Sequence, residues 1–361
     1  MNVIRIQGNH YQMGYQHGRQ VRGLRPILLK AIESRLAPLD QVGEALESRL
    51  RELQEALETM DQPVLEMLRG MADALEVDFA LLFKHAAASY LQDSLLPSKV
   101  KAADDCTTWA AADGATANGQ PILAKNRDYR PEHLSLQLVA LAQPAQGYRY
   151  GYITSAAAPG VFSSGLNEAG LAVADTHVSS LDLGPGLPSF SLMMRLLEKH
   201  ATVRSALDYL TSARRMGGSN LILADASGDM AVFEIGHQSY GVVEAENAMV
   251  VSTNHFVSPQ LCSQWVEDAK PRMRGNSHRR REVVRAALME ARGRIDVTWA
   301  QTLMARHGGP LDSICRHQEL EGSSVTISAT VFFPATRRFW TCFGYPCRKQ
   351  YQRFRVKEEK V

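Results

Sequence analysis

The hydrophobic pattern of this chain changes period near residue 105, and that change limits what it can fold into. Upstream, apolar residues recur at helical spacing. Leu46, Leu50, Leu53, Leu57 and Met60 step by fours and threes, and residues 26–36 are amphipathic. Asp61 reads as an N-cap, with Pro63 in the first turn of a helix carrying Leu65, Leu68 and Leu75. Asp78 reads as the cap of another, through Leu81, Leu82 and Tyr90. A short strand at residues 3–7 precedes them all.

Downstream the period is that of strands. Residues 107–112 and 121–125 flank DGATANGQ, whose Asp-Gly and Asn-Gly pairs are hairpin turn signals. Further strands are expected at 136–142, 148–154, 171–175, 219–225, 230–235, 240–244, 249–252, 325–333 and 338–343. Helices are expected at 189–200, 203–211, 277–292 and 297–306, the last with Asp296 as its N-cap. Antiparallel-looking strand runs that alternate with helix pairs argue for an α+β layered fold rather than a doubly wound βαβ sheet. No internal repeat or low-complexity linker divides the 361 residues, which read as one globule.

Charge excludes several classes of partner. Forty basic residues against 38 acidic ones leave a net charge of +2, so neither nucleic acid nor an anionic membrane is indicated. The most basic stretch is SHRRREVVRAALMEAR; Arg279, Arg280 and Arg281 precede Val283, Val284, Ala287 and Leu288, and are expected to coat a solvated helix face. No apolar run reaches membrane-spanning length, and MNVIRIQGNHYQMG lacks the apolar centre of a signal peptide, so the cytoplasm is the expected location. The cysteines are Cys106, Cys262, Cys315, Cys342 and Cys347, an odd and scattered set that is no disulfide framework. No CxxC, HExxH, Walker loop or GxGxxG is present, so neither a metal nor a nucleotide cofactor is expected.

Cys106 lies in DDCTTWAAADGATANGQPILAKNRDY, at the start of the expected hairpin. A cut just before it would give it a free α-amine, with a pKa of roughly 7.7–8, able to serve as base toward its own thiol. This stretch resembles the nucleophile hairpin of the acyl-CoA:6-aminopenicillanic acid acyltransferase family, autoproteolytic members of the N-terminal nucleophile (Ntn) superfamily. GNHYQMGYQHG is similar to that family's opening signature, and GVFSSGLNEAGLAVADTH to its glycine- and asparagine-bearing hairpin. VVSTNHF resembles its Thr-Asn-His segment, DSICRH its Ile-Cys-Arg segment and GYPC its terminal strand. The segments run in the family's order along nearly the whole chain.

The resemblance implies a four-layer αββα sandwich and a precursor that cuts itself between Asp105 and Cys106. The products would be a mostly helical chain of 105 residues and a catalytic chain of 256, staying associated. It implies Cys106 as nucleophile and Asn254 as side-chain oxyanion donor, the latter worth roughly 2.7–4 kcal/mol of barrier in comparable sites. Asp128 is implied as a site carboxylate, and Arg316 as an arginine paired with a carboxylate near the site. Each has an ordinary structural alternative: a turn asparagine, a strand-end aspartate, a structural salt bridge. Thr108, Trp109, Asn126 and His255 are implied as substrate-binding residues; His17 lies in a matched motif without a role. Cys262, Cys315, Cys342 and Cys347 are expected to be packed thiols.

One departure stands out: the family carries glycine before the cysteine, and here the residue is Asp105. The implied activity is hydrolysis of a small N-acyl or β-alanyl-type amide through a thioester on Cys106, without a cofactor. Acyl-CoA-dependent N-acyl transfer is the alternative, and an uncut, non-catalytic binding protein is the second.

Overall fold

The computed structural model describes residues 2–96, 105–267, 273–318 and 324–356; Asp104 lies outside them. Strand β1 (Asn2–Gly8) leads into helices α1 (His10–Val21), α2 (Arg25–Leu36), α3 (Glu44–Met60), α4 (Gln62–Leu75), α5 (Phe79–Ala86) and α6 (Ala88–Leu95). The hairpin β2 (Asp105–Asp113) and β3 (Gly119–Tyr129) follows, then β4 (Gln137–Pro144), β5 (Tyr150–Ser155), β6 (Ser164–Asn167) and β7 (Ala172–His177). Helices α7 (Ser189–Lys199) and α8 (Val203–Ser212) precede β8 (Ser219–Ala224), β9 (Met230–Ile235), β10 (Tyr240–Glu244) and β11 (Met249–Ser252). The chain then runs through α9 (Asn276–Glu290), α10 (Val297–Met304), β12 (Val325–Phe333), β13 (Arg338–Phe343) and β14 (Gln352–Arg355).

The strands form two sheets. An eight-stranded sheet has the order β1-β4-β5-β6-β7-β8-β9-β10, and a six-stranded sheet the order β11-β2-β3-β12-β13-β14. The two inner faces pack through Val139, Ile153, Ala174 and Ile222 on one side and Ala110, Leu123, Val250 and Phe332 on the other. The outer face of the larger sheet carries α1–α8, through contacts among Leu138, Tyr152, Val173 and Leu221 and the helix residues Met13, Leu57, Leu68 and Met193. The outer face of the smaller sheet carries α9 and α10, where Trp109, Ile122, Ala124 and Val251 meet Val284, Leu288 and Met304. Four layers result, α-β-β-α, as the family resemblance implies. Strand alternation explains why β2 is buried on both faces: even positions Ala110 and Ala112 face the other sheet, and odd positions Trp109 and Ala111 face the helices.

Three elements escape the hydrophobic pattern: α1, β6 and β14. Helix α1 is polar and carries two glycines, so propensity argues against it. Its stability comes from close approach to α4. A Cβ on Gly14 would lie 1.9 Å from the Met67 carbonyl oxygen, and one on Gly70 would lie 2.2 Å from the Tyr11 carbonyl oxygen. The backbones touch, and only glycine permits it. The same turn sends His17 inward, where its Nε2 accepts from the Ala157 N–H at 3.2 Å. Burial holds this imidazole neutral, lowering its pKa to about 3.

Two caps behave differently. Asp78 accepts from the Ala80 N–H at 2.9 Å, as an N-cap should, although the helix it opens breaks at Ala87 into α5 and α6. Asp61 stands before α4 but makes no capping bond; its buried carboxylate accepts from Ser191 Oγ and, at 2.9 Å, from Arg195 Nε. A charged partner on α7 outcompetes the local backbone.

The α1–α4 contact yields a stability test. Gly14→Val should lower the urea midpoint severely, by about 3 kcal/mol or more in unfolding free energy. Gly23→Ala, where an added Cβ meets nothing within 4 Å, should stay within about 0.5 kcal/mol of the parent.

Candidate active site

Cys106 is the second residue of β2, on the face that looks toward the larger sheet, and it pairs across the hairpin with Arg127. Its neighbour Asp105 pairs with Asp128, and the carboxylates of both point to the opposite face, toward α9. The peptide joining Asp105 to Cys106 therefore separates a cleft from a buried polar cluster.

Arg280 of α9 organises that cluster. It is fully buried, and its five N–H groups all find acceptors. Nε donates to Asn276 Oδ1 at 2.9 Å, and Nη1 to the Cys106 carbonyl at 2.5 Å and Thr107 Oγ1 at 2.9 Å. Nη2 donates to Asn254 Oδ1 at 2.8 Å and Asp105 Oδ1 at 3.4 Å. Asn254 Oδ1 also accepts from the backbone N–H of Cys106 at 2.8 Å, while its Nδ2 donates to the His177 carbonyl at 2.8 Å. Arg316 approaches Asp105 Oδ2 at 3.3 Å and donates to Asn276 Oδ1 at 2.9 Å. Ser324 Oγ donates to Asp105 Oδ2 at 2.7 Å. Asp105 is thus held by two guanidinium groups and a hydroxyl.

The titratable groups are shifted by burial. The Cys106 thiol is pushed up to about 11, chiefly by desolvation; Lys125 pulls it down, while Asp175 and Asp128 push it up. Asp128 is fully buried, accepts from Thr326 Oγ1 at 2.6 Å, and is raised to about 6. Desolvation again dominates, opposed by Arg316, Arg280 and the Thr326 bond and aided by Asp105. Lys125, almost wholly buried, donates to the Asp175 carboxylate at 2.5 Å and to the Asp175 carbonyl at 2.6 Å.

The cleft over Cys106 draws on both halves of the chain. Lys125, Arg127 and Asp175 line its floor, the stacked rings of Phe162 and Phe190 one wall, and Ser89, Tyr90 and Asp93 of α6 another. Asp93 and His177 meet across it at 2.9 Å. The helical N-terminal segment thus shapes the cavity.

Several expectations need correction. Trp109 and Asn126 lie on the helix-side face and do not line this cleft; Trp109 Nε1 donates to Met304 Sδ at 3.1 Å, and Asn126 Nδ2 to the carbonyls of Met304 and Ile314 at 2.8 Å each. Strand parity places them there. Thr108 is on the Cys106 side but is buried against Ser252, donating to its carbonyl at 3.0 Å. His255 lies behind Asn254, its Nδ1 2.7 Å from Ser277 Oγ and its ring against His278 and Trp265. Cys262 and Cys347 are exposed, whereas Cys315 and Cys342 are packed as expected. Arg279 is exposed, but Arg280 is the opposite of a solvated residue. Its signal was its position: it stands four residues before Val284 and eight before Leu288, on the buried stripe of α9.

The family model described as acyl-coenzyme A:6-aminopenicillanic acid acyl-transferase matches residues 115–348. The chain belongs to this family. Among curated proteins, an uncharacterized protein of Archaeoglobus fulgidus is 20% identical over 389 residues, covering 95% of this chain and 63% of its own length. The chain therefore spans less than two-thirds of that relative. Among solved structures, a variant of the conjugated bile acid hydrolase from Clostridium perfringens is similar at a TM-score of 0.47 and 13% identity, covering 69% of this chain and 97% of that one. The Caenorhabditis elegans orthologue of N-acylethanolamine-hydrolyzing acid amidase is similar at 0.45 and 17%, covering 64% and 93%. Penicillin V acylase from Agrobacterium tumefaciens is similar at 0.41 and 15%, covering 66% and 83%. Among the described residues, no helix is long and apolar enough to cross a membrane.

For this family member the buried carboxyl of Asp128 makes stability pH-dependent. Its pKa rises from 3.8 to about 6 on folding, so between these values the folded chain keeps a proton that the unfolded chain has lost. The group's favourable contribution is complete below pH 3.8 and disappears as pH climbs through about 6. Asp128→Asn keeps an oxygen for Thr326 but cannot ionise. Urea denaturation should show the variant gaining on the parent by up to about 3 kcal/mol between roughly pH 4 and pH 7.

Proposed function

We propose that this chain cuts itself between Asp105 and Cys106 and then hydrolyses a small N-acyl or β-alanyl-type amide through a thioester on Cys106. The observation that carries the reading is the treatment of one peptide bond. Its nitrogen is held by Asn254, the carbonyl after it by Arg280, and the carboxylate before it by Arg280 and Arg316. An ordinary strand needs none of this buried charge, whose desolvation is costly.

In self-cleavage the thiol of Cys106 attacks the carbonyl carbon of Asp105 and gives up its proton. The nitrogen takes that proton as the C–N bond breaks, so it leaves as a neutral α-amine, and a thioester links Asp105 to the sulfur. Water then releases the Asp105 carboxylate and restores the thiol. A buried thiol with a pKa near 11 is a weak nucleophile until a base stands beside it. The new α-amine is that base. It accepts the thiol proton, the thiolate attacks the substrate amide, and the departing amine takes the proton away. Water ends the cycle by hydrolysing the acyl thioester.

Asn254 takes a particular part in this scheme. Its oxygen faces the Cys106 nitrogen and one of its amide N–H bonds is committed to His177, so its first role is to hold the α-amine. Asp128 lies close enough to raise the thiol pKa, and its own pKa of about 6 lets it exchange protons near neutrality. The apolar wall of Phe162 and Phe190 suits an acyl chain, and the charged lining residues Arg127, Asp175 and Asp93 a polar amine portion.

Intact-mass measurement of the purified chain should show two species, split before Cys106, and a single species for Cys106→Ala. Amide hydrolysis, followed as free amine across a panel of N-acyl amides, should vanish in that variant. Asn254→Ala should slow both cleavage and turnover by roughly tenfold or more. Free thiol released from acyl-CoA esters in the presence of an amine would favour transfer over hydrolysis. A chain that stays whole, with activity unaffected by Cys106→Ala, overturns the reading.

A further inference from the structure

Away from the cleft, His307, Cys315, His317 and Cys347 converge, with one ligand-type atom from each lying within 4.8 Å of the others. The sulfurs of Cys315 and Cys347 are 3.6 Å apart, and His317 Nε2 lies 3.6 Å from the first and 3.2 Å from the second. A tetrahedral zinc with bonds of about 2.3 Å to sulfur and 2.0–2.1 Å to nitrogen has donor–donor edges of roughly 3.3–3.8 Å. Of the three edges among Cys315, Cys347 and His317, two fall in this range and the third is about 0.1 Å short of it. The sulfurs are those of two free thiols, not of a disulfide.

The fold brings the donors together from distant segments. The N–H groups of Ile314 and Cys315 both donate to the Arg306 carbonyl, at 3.1 and 2.9 Å, which folds His307 back beside Cys315. Cys347 comes from the turn after β13, anchored where the Gly344 N–H donates to the Ile327 carbonyl at 2.8 Å. The rings of His307 and His317 meet edge to face at 4.8 Å, and Tyr345 stacks on His317 at 4.0 Å, fixing its plane.

We propose that these four residues bind a structural zinc ion. Two cysteines and two histidines form a donor set suited to tetrahedral zinc and poor for calcium or magnesium. As each Zn–S bond forms, the thiol proton passes to solvent, and two thiolates then balance the dication. Four protein donors leave no open position for a reacting water, so the ion's task is mechanical. Arg316 lies between two ligands, Cys315 and His317, and reaches Asp105 in the buried cluster. The metal ties the loop that carries Arg316 to the turn after β13. The spacing His-x7-Cys-x-His followed by a distant cysteine matches no familiar linear zinc motif, which is why sequence alone gives no sign of it.

The test uses the untagged full chain, purified under reducing conditions from zinc-supplemented medium and passed through gel filtration. Elemental analysis should give about one zinc per chain. Cys347→Ser, a near-isosteric change at an exposed position, and His317→Asn should each lose most of it. Cobalt reconstitution should produce the visible absorption of a tetrahedral thiolate site, absent from both variants. Stripping zinc with a chelator should lower the melting temperature of the parent by several degrees, zinc restoring it, while the already lowered value of Cys347→Ser should respond to neither. Zinc contents equal in parent and Cys347→Ser overturn the proposal. So does a stripped parent that takes up neither zinc nor cobalt, or an intact mass lighter by two hydrogens on a metal-free chain with Cys315 joined to Cys347. None of these readouts depends on self-cleavage or on amide hydrolysis.

Discussion

The buried guanidinium of Arg280 is the interaction on which the candidate site depends. It joins α9 to β2 at the point where β2 begins, and it holds Asp105, the Cys106 carbonyl, Asn254 and Asn276 at once. Its burial lowers its own pKa, and the Asp105 carboxylate opposes that shift most strongly. Removing one partner would leave a charge in a dry environment, which is far more costly than the pair is stabilising. Each member is therefore fixed by the others. Arg316 completes the arrangement from the loop between α10 and β12, so the junction is clamped by segments remote from it in sequence.

This arrangement gives a physical meaning to Asp105, the residue that departs from the family pattern. A glycine there would leave Arg280 and Arg316 facing only Asp128 as a carboxylate. With Asp105 present, two arginines face two carboxylates, and Asp128 is pushed toward the protonated form partly because Asp105 is ionised. The aspartate thus supplies charge balance for the cluster while making the peptide it owns less flexible than glycine would.

Much of the fold was legible in the sequence, because most elements bury one face and show it as a period. The hairpin strands, the helices of residues 44–95 and the outer pair α9 and α10 follow directly from that pattern. Helix α1 was not legible, since its glycines trade propensity for backbone contact with α4. The site was half legible. Cys106, Asp128, Asn254 and Arg316 carried signals through motifs, and the structure gathers all four around the start of β2. Arg280, Asn276 and Ser324 carried none as motifs, because their neighbours in space come from remote parts of the chain. Trp109 and Asn126 show the converse limit: proximity in sequence to the nucleophile says nothing about which face of a strand a side chain takes.

The wall that α6 lends to the cleft separates the shape of the cavity from the cluster behind β2. The family match runs over residues 115–348, while Ser89, Tyr90 and Asp93 lie upstream of it. Asp105 and Cys106 lie upstream of it as well, so the match leaves out this wall together with the start of β2. Helical residues that need only stay packed on the sheet can vary without disturbing the Arg280 cluster. Redrawing that one helix would reshape the cleft while leaving the junction between Asp105 and Cys106 in place.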